Sequence, residues 1–519
     1  MAKRSIQKPL LLVAGPGAGK THGMAERIAR QLPALALNRF LAGITFTNAA
    51  SDNIREHVHR LTRPGANVFI GTIHAFANRF VLAPFAHLTG HLGKERIFGG
   101  VDVNRFIDEM EKKQQRKFTP EQRNYWRTRI TKSLLTHGVV THDEIIRLSL
   151  ELLKEKRVCE KVCSRLQFLF IDELQDTDTR HWQLFECLLN GGCTCVDAVG
   201  DPEQYIYTFT YRMRSVRAPV FNKIPFFRFQ DQACQKVNVD NRRACKEIVD
   251  FTNHFHGQLR QQSLVGPRGT PRVLFLPDTD IINAVRRFRE LDKQIPEDHR
   301  RRGGRHCRYQ RFYLGYEKAT FDDVNGEFGI RRLSKEAHAP RTLLQSALAL
   351  LALCRGASQK QVSKDLGLDE HTWRKWGYEL LCQLRDDHFQ ALNEFCTFWI
   401  PRLKISDLGA QQAAVFDAFE ELRNVFQTDK HAQWNDWSSS IHQAKGLEAV
   451  AVLAVARTVN ELRAWSLTDQ AERKTDKIDR CRLGFVAFSR AMELLCIACQ
   501  KPLDDKTRKH LQMLGVKLL

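Results

Sequence analysis

No run in the 519 residues approaches the ~18 consecutive apolar positions that a membrane-crossing helix needs. The longest candidate, Leu343 to Cys354, is interrupted by Gln345 and Ser346. The N-terminal stretch MAKRSIQKPLLLVAGPGAGK has only a short apolar run leading into a glycine-rich loop, the pattern of a buried strand and not of a secretory signal. A cytoplasmic protein with no membrane partner is expected. Cysteine is sparse: 14 residues in 519 are too dilute for a disulfide framework. Three close pairs, Cys159/Cys163, Cys193/Cys195 and Cys496/Cys499, leave two readings open, buried thiols or a metal or iron–sulfur site. No nuclease motif is evident. Acid is in deficit, with 59 Asp plus Glu against 80 Lys plus Arg, a formal charge of +21. Such an excess points to a polyanionic partner, since each neutralised phosphate adds affinity. An apolar content of 43% excludes a disordered chain. At ~100–200 residues per domain the length admits three or four domains.

The string AGPGAGKT, Ala14 to Thr21, follows the apolar strand Leu10 to Val13 and precedes the helix-like HGMAERIARQL. It is a P-loop with Ala14 in place of the first glycine. Gly15, Gly17, Ala18 and Gly19 form a loop whose backbone N–H groups can turn inward to phosphates. Lys20 reaches the β and γ phosphates, and Thr21 offers a hydroxyl to Mg²⁺. A second half of such a site is expected at the end of a neighbouring parallel strand. LQFLFIDELQD, Leu166 to Asp176, supplies it: Asp172 for Mg²⁺ and Glu173 to orient and deprotonate the attacking water.

Six further strings complete an ordered series: TFTNAASDNI (45–54), GTIHAFANRF (71–80), GDPEQYIYTF (200–209), NRRACKEIVDFTN (241–253), SIHQAKGLE (440–448) and FVAFSRA (485–491). All eight, in this order, resemble the superfamily 1A DNA helicases of the UvrD/Rep type, from residue 10 to about residue 500. The resemblance implies an α/β fold with two RecA-like P-loop lobes built on parallel sheets, each carrying a helical insertion (1A/1B/2A/2B). The boundaries expected are 1–80 and 165–218 for lobe 1A, 81–164 for insertion 1B, 219–290 and 426–519 for lobe 2A, and 291–425 for a reduced 2B.

By the same resemblance Arg243 and Arg490 match the second-lobe arginines that touch the γ-phosphate, a role that suits a planar, permanent cation. Gln204 matches the γ-phosphate-sensing glutamine, and Glu448 the ribose-facing acid. Phe46, Thr72, His74, Tyr207, Phe209 and His442 fall on the family's DNA-contact positions, where aromatic faces stack on bases; core packing is the other reading for Phe46 and Phe209. The implied activity is ATP-dependent, Mg²⁺-requiring 3′ to 5′ translocation on single-stranded or tailed duplex DNA, with or without unwinding, in repair or antiphage defence.

This chain departs from the pattern in several places. Only thirteen residues precede Ala14, so the adenine-reading glutamine is missing or displaced to Gln7, which leaves ATP against GTP open. His22 stands where an arginine is common. Ala49 replaces the usual lysine and Thr210 the usual arginine, with Arg212 a candidate substitute. Two customary DNA cations are therefore absent. The arginine-rich run His299 to Arg311, centred on Gly303 and Gly304, reads as a mobile loop, either solvated or docking a partner. Gly356 to Leu381 has helix-turn-helix spacing, with Val362, Leu366, Leu368, Trp373 and Trp376 as its core, and fits duplex contact or plain helical packing. The chain is also similar to the helicase subunit of Gabija-type antiphage systems, which works with an OLD-family nuclease. That makes a DNA-sensing ATPase switch, gating a nuclease without processive unwinding, the competing expectation. A signalling P-loop protein unrelated to DNA explains neither the second-lobe motifs nor the charge.

Overall fold

The computed structural model describes residues 8–89, 98–101, 103–208, 220–302, 305–306, 309–333, 343–386, 388–389, 391–424, 436–475 and 479–519. The apolar run before the P-loop forms β1 (Leu10–Ala14). It lies inside a sheet with β2 (Phe40–Thr45), β3 (Val68–Thr72), β4 (Leu166–Ile171), β5 (Cys195–Gly200) and β6 (Cys234–Asn238). The order is β3-β2-β4-β5-β1-β6 and every pairing is parallel. Parallel strands are joined by crossovers that cover both sheet faces, so their sequences run continuously apolar; β4, LQFLFI, is buried at every position.

A second parallel sheet contains β7 (Val273–Leu276), β8 (Arg311–Gly315), β9 (Arg331–Arg332), β10 (Asp436–Ser440), β11 (Ala449–Ala456), β12 (Ala491–Cys499) and β13 (Lys517–Leu518). Its order is β9-β10-β8-β11-β12-β7-β13. The fold is therefore α/β, with two parallel-sheet lobes of the RecA-like kind.

The structure moves three expected boundaries. The first lobe extends to Asn238, not 218, because β6 pairs with β1 and Phe221, Ile224, Phe226 and Phe229 fill the first core. The helices His142–Lys154 and Lys156–Arg165 also give Ile145, Leu148, Leu152, Val158 and Val162 to that core, so they are not part of a separate insertion over 81–164. Among the described residues of that span, only Val103–Lys113 and Pro120–Thr136 keep a small core of their own, with Val103, Ile107 and Phe118. The second insertion is shorter than 291–425, since β8 and β9 belong to the second sheet and the compact helical unit spans 334–435.

The last difference has an electrostatic cause. Arg311 donates from Nε to Asp292 Oδ2 at 2.6 Å and from Nη1 to Asp436 Oδ1 at 2.8 Å. Arg300 Nη2 lies 3.1 Å from Asp292 Oδ2, and the Tyr313 hydroxyl donates to Asp436 at 3.2 Å. Both ends of the arginine-rich run thus neutralise buried carboxylates, and Arg311 opens the strand that carries FYLG into the second sheet. Gly303 and Gly304, the centre of the expected mobile loop, lie outside the described residues, as do Cys307, Arg308 and the side chains of 301–302 and 305–306.

The unit 334–435, taken by itself, packs the helices Leu343–Cys354, Gln359–Asp365, Glu370–Arg385, Leu392–Arg402 and Gln412–Asn424 around Leu351, Trp373, Leu380, Phe395, Trp399 and Phe419. Both helices of the helix-turn-helix spacing form. Their turn carries Gly367 at φ +66°, and Asp369 caps the second helix by accepting from Thr372 N at 2.7 Å. Cys496 and Cys499 are buried in β12 and Cys195 lies in β5. Among the described residues no group of three or more His, Cys, Asp or Glu is placed to hold a metal, and no helix is long and apolar enough to cross a membrane.

Candidate active site and nucleic-acid interface

Helix α1 (Lys20–Gln31) starts directly at the P-loop lysine, with Gly17 and Gly19 at φ +71° and +73°. A side chain at Gly17 would be strained there. Its Cβ would also lie 2.6 Å from Arg243 Cβ and Asn241 Oδ1, both from the second lobe. The loop's N–H groups and the positive end of α1 make an anion cradle. The second lobe closes on the same loop: Asn241 Nδ2 donates to Pro16 O at 2.9 Å, Gln261 Nε2 donates to Pro16 O at 3.0 Å, and Arg242 N donates to Gly17 O at 2.9 Å.

Asp172 and Glu173 leave the end of β4, as parallel-sheet chemistry places catalytic groups. Asp172 is 2% exposed and accepts from Glu173 N at 3.0 Å. Burial and the neighbouring Glu173 push its carboxyl up to about 7. A buried carboxylate at the end of β4, together with the hydroxyl of Thr21 in the first turn of α1, is a set of hard oxygens that fits Mg²⁺, whose charge would relieve that burial. Glu173 sits in the left-handed region at φ +49°. Burial pushes it up, but Lys20, 3.9 Å away, and Lys445 more than offset this and hold it below the ordinary carboxylate range. A residue held at such a φ is strained, which recurs where a side chain must be aimed.

Gln204 follows β5. Its Nε2 donates to Asp201 Oδ2 at 2.7 Å, and its Oε1 accepts from Arg490 Nη2 at 3.4 Å. Arg490 is 1% exposed, donates to Leu447 O at 3.0 Å, and is pulled down to about 9 by burial and by Arg243, so it remains a cation at neutral pH. Arg243 pairs with Glu448, placed by sequence on the ribose, and donates to Ser489 O at 3.4 Å. Lys20, Glu173, Gln204, Arg243 and Arg490, drawn from both lobes, therefore converge around one cleft.

The DNA candidates separate into two groups at strand ends. Half-buried Phe46 follows β2 and is not part of a core cluster; its ring meets His181 at 6.1 Å. Thr72 ends β3 and caps the helix that carries His74, accepting from Ala75 N at 3.3 Å. His74 packs edge-on against His142 and His181, and burial together with those two rings lowers it to about 4. In the second group, Tyr207 lies under Lys445 Nζ, 4.8 Å from the ring centroid. His442 is lowered to about 4 by burial and by the same lysine. Phe209, Thr210, Arg212 and Gln7 lie outside the described residues, as do the side chains of Asn48 and Ala49.

Lys445 and Asp176 escaped sequence reasoning. Lys445 Nζ donates to both Asp176 oxygens at 2.6 and 2.7 Å and to Gln204 O at 2.7 Å, with the paired side chains 7% and 5% exposed. Asp176 follows β4 of one lobe and Lys445 follows β10 of the other, so the bond spans the lobes. The available signal was their presence inside LQFLFIDELQD and SIHQAKGLE; nothing in either string says that the two meet.

Residues 1–129 and 104–213 match the family model described as UvrD/REP helicase N-terminal domain. The Gabija protein GajB of Bacillus cereus (strain VD045) is 26% identical over 253 residues, covering 48% of this chain and 47% of GajB. The probable DNA helicase II homolog of Mycoplasma capricolum is 24% identical over 291 residues, covering 48% of this chain and 39% of that protein. The ATP-dependent DNA helicase PcrA of Staphylococcus aureus is 24% identical over 290 residues, covering 49% and 38%. The chain thus spans less than half the length of these relatives in the matched regions.

Proposed function

We propose, from the premise that the chain is a UvrD/Rep-like protein whose first 213 residues belong with the UvrD/REP helicase N-terminal domains, that it is an ATP-driven DNA motor moving 3′ to 5′ on single strands. The observation that carries the reading is the convergence of both lobes on one P-loop: Asn241, Arg242 and Gln261 grip Pro16 and Gly17 while Arg243 and Arg490 face the same cleft. A site assembled only when two lobes close can convert hydrolysis into lobe motion.

The residues divide the work as follows. The loop N–H groups and Lys20 bind the phosphates of ATP. Thr21 and Asp172 would hold Mg²⁺, which when bound would neutralise phosphate charge. Glu173, kept ionised by Lys20 and Lys445, orients the attacking water and takes its proton. Arg243 and Arg490 stabilise charge developing on the transferring phosphoryl group, and Gln204 reports its presence to the loop that leads to Tyr207. Phe46, Thr72, His74, Tyr207, Phe209 and His442 contact the strand, with aromatic rings stacking on bases whatever the sequence. Cycles of closure and opening then advance the chain along one strand.

A second reading, a DNA-sensing ATPase that gates a nuclease of the OLD-family type, is favoured by the similarity to GajB and by alanine at 49 where a DNA-contacting lysine is usual. Two measurements on the full chain decide. Lys20→Ala abolishes DNA-stimulated ATP hydrolysis if the site is assigned correctly, and retained hydrolysis refutes it. Strand displacement on a 3′-tailed duplex by the protein alone supports the motor, whereas hydrolysis without displacement supports the switch.

A further inference from the structure

Asp201 lies wholly inside the molecule, 0% exposed, yet its carboxylate is the anchor of Gln204. A buried carboxylate needs donors on every oxygen. Oδ2 takes the Gln204 amide, and Oδ1 takes the Glu203 main-chain N–H at 3.0 Å and Nε2–H of His256 at 2.9 Å. His256 comes from the other lobe. It sits three residues beyond helix α2 (Lys246–Asn253), with its side chain 3% exposed and the Phe485 ring edge-on at 5.8 Å. Its Nδ1 accepts from the main-chain N–H groups of Gln258 at 3.2 Å and Leu259 at 3.0 Å. Asp201 draws His256 upward against burial. However, two N–H groups aimed at Nδ1 leave no acceptor for a second proton there, and the geometry therefore holds the Nε2–H tautomer.

We propose, resting on the motor reading above, that His256 is a positioning residue for phosphate sensing: through Asp201 it fixes which end of the Gln204 amide faces Arg490, and it does so only when the second lobe is closed. The chain of contacts runs from Leu259 and Gln258 N–H through His256 and Asp201 to Gln204 and Arg490, and crosses between the lobes twice. An amide can be turned end for end at little steric cost. With Asp201 held, Gln204 must give its N–H₂ to the carboxylate and its oxygen to Arg490. Without the histidine donor, Asp201 is free to turn toward other donors, and the amide oxygen is no longer committed to the arginine. The pattern in the sequence, a histidine seven residues past Val249 in a polar stretch, carries no hint of this.

The test uses the full chain, measuring ATP KM and single-strand-stimulated kcat. His256→Leu keeps bulk and removes the donor; kcat falls about tenfold or more while KM stays within about twofold, as expected for loss of one positioned hydrogen bond to a charged group. His256→Gln carries a donor at the place of Nε2 and recovers kcat to within about threefold of the parent. In a Gln204→Ala background His256→Leu causes no further loss, because the residue acts through that amide. If His256→Leu fails to bind ATP, His256→Asn decides: it can still accept from the two main-chain N–H groups but is too short to reach Asp201, and kcat falls as in the leucine variant. Parent-like kcat in the leucine or asparagine variant, or a full independent loss in the Gln204→Ala background, overturns the proposal. Absence of DNA-stimulated hydrolysis in the parent protein would instead refute the motor reading on which it rests.

Discussion

Replacing Lys445 by Met tests whether the buried pair with Asp176 is the latch between the lobes. The ammonium makes three short donations, two to Asp176 and one to Gln204 O, and the pair is almost wholly out of water. Removing one partner of such a pair costs about 3–5 kcal/mol, mostly because the other charge is left buried. The partners belong to different lobes, so opening the cleft rehydrates Asp176. The cost therefore falls on closure and not on the folding of either lobe. At ~1.4 kcal/mol per tenfold, the closed state loses roughly a hundredfold or more in population, and kcat/KM for DNA-stimulated ATP hydrolysis falls by a similar factor. The pH dependence has a definite sign. Burial already raises Asp176 to about 7, above its value in water, and Lys445 opposes that rise. Without the lysine Asp176 binds a proton more readily in the closed state, so closure is favoured at low pH and lost as pH rises through that raised value. The variant should be less impaired at pH 6.5 than at pH 8.5, and Asp176→Asn should restore part of its activity by removing the stranded charge. Parent-like kcat/KM in Lys445→Met, or a double variant whose losses simply multiply, refutes the latch.

Two further outcomes follow from the same electrostatics. His74 is lowered to about 4 by burial among His181 and His142, against 6.5 in the unfolded chain. The unfolded state binds that proton first, so His74 contributes stability above about 6.5 that is lost as pH falls toward 4, at up to about 1.4 kcal/mol per pH unit. Thermal melts of His74→Asn across pH 4 to 7 should show a shallower acid slope, and an unchanged slope counts against the burial. Glu493 is 0% exposed inside β12, and Arg268 donates to both of its oxygens at 2.8 Å. Arg268→Leu should destabilise the second lobe by about 3–5 kcal/mol, read as a lower melting temperature, with Arg268→Leu/Glu493→Leu recovering much of it; a parent-like melt of the single variant would contradict this.

The loop half of the candidate site was legible because its geometry is local. A P-loop packs its requirements into eight consecutive residues, Ala14 to Thr21, and the strand before it and the helix after it announce themselves by apolar run and periodicity. The parallel sheets were legible for a similar reason: strands covered on both faces, such as β4 and β11, are buried at every position, and apart from Gln167 every residue in them is apolar. The strand FYLG, directly after the arginine-rich run, was not legible as a strand, since the charges before it read as solvated until Asp292 and Asp436 arrive from elsewhere in the chain to neutralise Arg311. The lobe boundary at Asn238 was equally hidden, because β6 reads CQKVN and is sorted into the first sheet only by its pairing with β1.

The amino-acid sequence by itself determined the class of fold and which side chains can meet phosphate, because backbone geometry and hydrophobic burial act over neighbouring residues. Tertiary structure alone decided the couplings: Lys445 with Asp176, His256 with Asp201, and Asn241 and Gln261 with Pro16. Each joins residues some 55 to 270 positions apart, with partners selected by which buried charge or carbonyl lacks a donor once the lobes are closed. A charge is costly in the interior wherever it lies, but what answers it depends on distance in space, and that distance is set only when the chain has folded.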